Sequence, residues 1–352
     1  MEGVLGLLDP KFNILFYMII NIIINQIENT MREVRTIGYT KWISRTWTKT
    51  YIGIPLLLSG FVINKLIQRK DKDIGEPFKN VKLHFASAFL AFTILGSQVF
   101  FAFGVQNDIF LVNYVLYNLR MITYLVYSYI SPNKKPNKRE LVGILLSLFC
   151  RISKGISYGI IKGFNPIIFG GRMVKCCIYY GSSHIGKALT VVLIDYIIHN
   201  IPVSGGVQMG FQSIYSILLS VLIFIPMNYH GLIGANDDDG IHEDLYKSFL
   251  MAKSNITIIL YLILFIIMVF FSSLFKSVTI QCFNGFYIIL AEGLVPIFLT
   301  FLNTLFSFQW KFGFGDILMG IFSIGYTVGC LIYANILPIF NDETKYAHQI
   351  LN

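Results

Sequence analysis

The chain has 352 residues, of which 55% are apolar and 13% charged, with 31 Phe, 20 Tyr and a mean hydropathy of +0.64. A water-soluble fold carries about a quarter of its residues as charges to cover its surface, so that class is excluded, as are disordered, collagen-like and disulfide-scaffold chains. The formal charge of +9 comes mostly from Lys and Arg between apolar blocks, which points to lipid headgroups rather than nucleic acid and leaves an all-α, polytopic membrane protein.

A helix needs about 20 mostly apolar residues to cross the hydrocarbon. Such blocks run, in order, over 10–27, 51–68, 83–104, 110–130, 140–160, 186–203, 208–228, 254–274, 279–303 and 314–337, giving about ten transmembrane helices. The weakest, 186–203, carries Asp195 and His199, spaced i, i+4 as a local pair. The stretch 160–180 is apolar but interrupted by Gly163, Pro166, Gly170 and Gly171, so an extra or re-entrant helix is open there. Charged connectors separate the blocks, among them a basic turn at 132–140 and the acidic run Asp237-Asp238-Asp239. Lys and Arg divide almost evenly between alternate connectors, so charge does not set the orientation. The five cysteines show no metal-ligand spacing and read as packing residues, and no cleavable signal peptide is expected ahead of the first block.

Ten spans divide into two fives, 1–160 and 161–352, the pattern of two inverted repeats. The fifth span opens Glu140-Leu-Val-Gly-Ile-Leu-Leu-Ser and the tenth Asp316-Ile-Leu-Met-Gly-Ile-Phe-Ser. One span upstream, each half places a charge near mid-membrane: Arg120 and Glu292. Such residues are expensive in hydrocarbon and turn toward a cavity or a partner. Arg120 reads either as a structural contact between helices or as a guanidinium that grips phosphate bidentately. Asn113, Tyr117 and Arg120 share one face of the fourth span. Glu292 has three readings: a partner for Arg120, a proton-coupling group, or a bond to a neighbouring helix. Arg151 and Lys154, near the end of the fifth span, read as headgroup anchors. Phosphate-loop, dinucleotide, zinc-protease and paired Cys-x-x-Cys motifs are absent, and neither a close acid pair nor a nucleophile with its base appears, so no enzyme, cofactor or metal is expected.

The run Asn107-Asp108-Ile-Phe-Leu-Val-Asn113-Tyr114-Val-Leu-Tyr117-Asn118-Leu119-Arg120-Met-Ile-Thr123 resembles the fourth-span signature of nucleotide-sugar transporters in the drug/metabolite transporter superfamily, with Arg120 at the family's phosphate lysine. Val192-Leu-Ile-Asp195-Tyr196-Ile-Ile-His199, Val207-Gln208-Met-Gly210-Phe-Gln212-Ser213, Asp239-Gly240, and Leu274-Phe275-Lys276 followed by Asn284-Gly285-Phe286 are similar to later segments of that family, in the same order. The chain departs from the pattern in having Arg at 120 and Gly210 in place of an Asn. The resemblance implies an exchanger of the Golgi or endoplasmic reticulum membrane, acting alone or as a homodimer. A nucleotide sugar would enter the lumen against a nucleoside monophosphate, by alternating access of the two repeats. It implies a substrate-binding set of Arg120, Tyr117, Asn113, Lys276 and Glu292: Arg120 and Lys276 for phosphate, Tyr117 and Asn113 for base or ribose. Lys276 also reads as a headgroup anchor at a span end. Carriers of amino acids, peptides or cationic drugs, with Glu292 as the key residue, and a non-transporting membrane scaffold are the competing expectations.

Overall fold

The structure, a computed structural model, describes residues 10–36, 58, 78–106, 110–131, 134–161, 166–201, 203–224, 253, 256–307 and 314–336. The block at 51–68 and the acidic run 237–239 lie outside these residues. Among them all regular structure is helical: α1 (Pro10–Thr36), α2 (Val81–Gln106), α3 (Phe110–Leu116), α4 (Leu119–Ile130), α5 (Lys138–Ile161), α6 (Pro166–Asn200), α7 (Gly205–Leu219, continued by a π-helical turn Ser220–Phe224), α8 (Ile256–Cys282), α9 (Gly285–Ser307) and α10 (Phe314–Tyr333). Among the described residues five segments are long and apolar enough to cross a membrane: Val81–Phe101, Lys138–Ile161, Gly205–Ile223, Ile256–Cys282 and Gly285–Leu302. Their surfaces are inverted relative to a soluble protein. Phe85, Ile130 and Ile160 are exposed, while Arg120, His184, Asp195 and Gln208 are buried. A surface so rich in bare apolar side chains requires lipid around it, and the chain is a multi-pass helical membrane protein.

Helix ends follow local chemistry. Asn137 and Glu140 form a reciprocal capping box at the start of α5, each side chain accepting from the other's backbone N–H at 2.7 and 2.8 Å. Ser204 caps α7 and Asn284 caps α9. Pro166 interrupts nothing: it stands at the first position of α6, where its missing N–H is no loss, and the helix then runs without a break for 35 residues to Asn200. The weak block at 186–203 is thus the C-terminal half of a longer helix. The expected fourth span is two helices, α3 and α4, separated by a turn at Tyr117 and Asn118.

By contact density the chain forms two units, residues 1–124 with 169–308, and 125–168 with 309–352. In the first, α1 and α8 pack antiparallel: Ile20, Ile24 and Ile27, on one stripe of α1, bury against Phe265, and Asn21 meets Ser272. Helix α2 runs against α6, Ser183 donating to the Ser97 carbonyl at 2.8 Å. Tyr124 ties three helices together. Its hydroxyl donates to buried Asp195 at 3.0 Å and accepts from the Gly285 N–H at 3.0 Å. The expected pair of Asp195 with His199 forms alongside, at 3.1 Å.

In the second unit α5 and α10 pack antiparallel, Gly143 beside Gly329 and Lys154 beside Ser323. A Cβ on Gly143 would lie 2.7 Å from the Gly329 carbonyl oxygen, and one on Gly329 would lie 2.8 Å from that of Gly143, so each glycine admits the other's backbone. Arg151 and Lys154 correct the expectation of headgroup anchors. Both are buried against α10, Lys154 donating to Ser323 Oγ at 2.6 Å and Arg151 lying over the Tyr326 ring.

Candidate functional site

Arg120 sits in the first turn of α4, just beyond the break in the fourth span. Its guanidinium has donors and no acceptor, and it uses them in two directions. Nη1 meets Glu292 Oε2 at 2.5 Å, and Nε donates to His184 Nδ1 at 3.1 Å. That second bond fixes the imidazole tautomer. Nδ1 must accept, so Nε2 carries the proton and donates to Asn113, at 2.8 Å to Oδ1 and 3.2 Å to the backbone oxygen. Beneath the guanidinium lies the Tyr117 ring, 4.0 Å from Cζ, a cation–π contact.

Glu292, on α9, is held from two further elements. Tyr17 of α1 donates its hydroxyl to Oε1 at 2.9 Å, and Lys276 of α8 stands 3.8 Å from the same oxygen, opposite Arg120. Four residues below it, Pro296 lacks the N–H that would bond the Glu292 carbonyl, so the helix is locally loosened beside the carboxylate.

These side chains border a cavity of about 410 Å³ inside the first unit, within the range of small-molecule sites. Its charged lining residues are Arg120, Lys276, Glu292 and Lys187, the last with its ammonium 3.9 Å from the Phe101 ring centroid. The lining also includes four amides, Asn21, Asn25, Gln98 and Gln212. Three cations against one carboxylate leave the lining at a formal +2 with every group in its ordinary charge state.

The five residues expected from sequence come into one neighbourhood. Tyr117, Arg120, Lys276 and Glu292 border the cavity, and Asn113 stands behind it, orienting His184. Of the readings open for Glu292, the geometry takes the partner of Arg120. For Lys276 it takes the interior rather than the headgroups. Sequence reasoning missed Tyr17, His184 and Lys187. His184 and Lys187 are one turn apart in a run of small and apolar residues, a signal that a search for uniformly apolar spans passes over. Among the described residues no group of His, Cys, Asp or Glu could hold a metal ion.

No family model and no curated protein matches the chain. Solved structures do match it. One, described as "Crystal structure of protein", superposes with a TM-score of 0.52 at 12% identity, over 91% of this chain and 99% of that one. At that identity the likeness is one of fold alone.

Proposed function

We propose that the chain is a membrane carrier of a phosphorylated solute, and that the solute is a nucleotide sugar exchanged for a nucleoside monophosphate. The observation that carries the reading is the excess of positive charge around a cavity among apolar helices. Carrying charge into a low-dielectric interior costs several kcal/mol per ion, a cost offset when a ligand of opposite sign completes the balance. A phosphate group takes Arg120 and Lys276 by charge-assisted hydrogen bonds. The amides of the lining, each both donor and acceptor, suit the hydroxyls of a sugar or the edge of a base. A cationic cargo fits less well, because the one carboxylate that lines the cavity among the described residues is already engaged by Arg120, Lys276 and Tyr17.

Two further features support a carrier built from inverted repeats. The fourth span is discontinuous beside the candidate ligand site, and half-helix ends at such breaks are a recurring way to bind substrate within a membrane. The fifth and tenth spans, which echo each other in sequence, pack antiparallel against each other. Ten spans, two five-helix repeats and a Golgi or endoplasmic reticulum membrane complete the proposal, the last resting on the sequence resemblance. One-for-one exchange follows from the site, because both ligands need the same cations before the carrier reorients.

The test is counterflow. Purified protein in liposomes preloaded with uridine or guanosine monophosphate should take up the corresponding labelled nucleotide or nucleotide sugar, and Arg120→Ala should reduce uptake at least about a hundredfold, the scale of losing a charged partner. Uptake by Arg120→Ala equal to wild type would remove the phosphate site from this cavity.

A further inference from the structure

Glu292 has a second consequence, which rests on the carrier reading above and names the charge class of its ligand. Four formal charges face the cavity among the described residues, contributed by four different helices: Arg120 from α4, Lys187 from α6, Lys276 from α8 and Glu292 from α9. A carboxylate is not needed to bind an anion. It competes with the ligand for Arg120 and Lys276, and its presence in the centre of a cation cluster weakens the pull on phosphate. Yet it is held firmly, by Tyr17 as well as by both cations. What the carboxylate does change is the sum. Without it the lining would carry +3; with it the lining carries +2.

We infer that Glu292 is a charge-setting specificity residue, which fixes the cavity at +2 and so selects ligands that carry two negative charges. In a screened but largely desolvated site each uncompensated charge at about 4 Å is worth several times its value in water, so a cavity and ligand whose charges cancel are favoured over a pair that leaves a residue of one. A ligand of charge −3 would leave one negative charge unbalanced, and a monoanion would leave one positive. Lys187 enters the same count from the opposite side. It borders the cavity, and its replacement alters the sum while both side chains of the Arg120–Glu292 pair remain.

The experiment compares two small anions that differ in charge, inorganic phosphate and pyrophosphate, by thermal shift of the purified full chain at pH 8. There phosphate is mostly a dianion and pyrophosphate carries about one charge more. Glu292→Gln should move the ratio of the two apparent dissociation constants about tenfold or more toward pyrophosphate, and Lys187→Gln should move it by a similar factor toward phosphate. Opposite shifts in the two variants support the inference; equal ratios in wild type and in whichever variants fold overturn it. Stabilisation of no form of the protein by either anion would instead overturn the carrier reading, so the two failures are told apart. Because Lys187→Gln leaves the central pair in place, the count stays testable even if Glu292→Gln does not fold.

Discussion

At the scale of single residues the site is a relay of obligate donors and acceptors. The guanidinium of Arg120 cannot accept, so His184 must, and Asn113 takes the remaining imidazole proton. Replacing His184 with Leu removes the acceptor for Arg120 Nε and strands a buried donor, which costs about 1–3 kcal/mol. The expected result is a lower unfolding midpoint and weaker phosphate binding together, read by thermal unfolding with and without ligand; a binding loss with an unchanged midpoint would mean that His184 touches ligand instead. The sequence carried half of this arrangement. Arg120 and Glu292 stand out because charges in apolar runs are rare, and Tyr117 and Asn113 follow by helical spacing. His184 and Tyr17 do not, since a histidine among Gly and Ser, or a tyrosine in an aromatic-rich chain, differs little from its neighbours until the fold brings it to a charge.

At the scale of helices, apolar length was a sound guide to position and a poor one to continuity. The block at 110–130 reads as one span and folds as α3 and α4. Residues 166–180, where Pro166 and its glycines left an extra or re-entrant helix open, belong to the uniform helix α6 because the proline falls at its first turn. Helical pairing tests the glycine seam of α5 and α10. A methyl at 143 meets the Gly329 carbonyl oxygen and the Tyr333 amide nitrogen, both at 2.7 Å, and neither backbone atom can swing aside. Gly143→Ala should therefore destabilise the protein by about 1–3 kcal/mol, the usual range for overpacking, seen as a lowered midpoint in detergent. The control Gly320→Ala, on α10 with nothing within 4 Å of its new methyl, should be neutral or slightly stabilising. Equal losses in both would place the effect in α-helix propensity and away from the seam.

At the scale of the whole molecule the account is one of charge placed where lipid cannot reach it. Composition alone gave the membrane, since so apolar a chain has no other solvent, and the exposed Phe and Ile of the helices agree. What composition could not give is the grouping of the helices, because which spans touch depends on side chains that match in three dimensions. Helices α5 and α10 lie far apart in sequence yet pack in one unit, while Tyr17 and Glu292 meet across most of the chain. The most direct test of the central claim is calorimetric titration of nucleoside monophosphates into wild type and into the double variant Arg120→Ala/Glu292→Gln, in which both members of the pair are neutral and the formal sum of the lining stays at +2. Saturable binding to wild type, with affinity lowered at least about a hundredfold in the double variant, is the predicted result. No binding of any nucleotide to wild type, or equal binding by the two proteins, would contradict it.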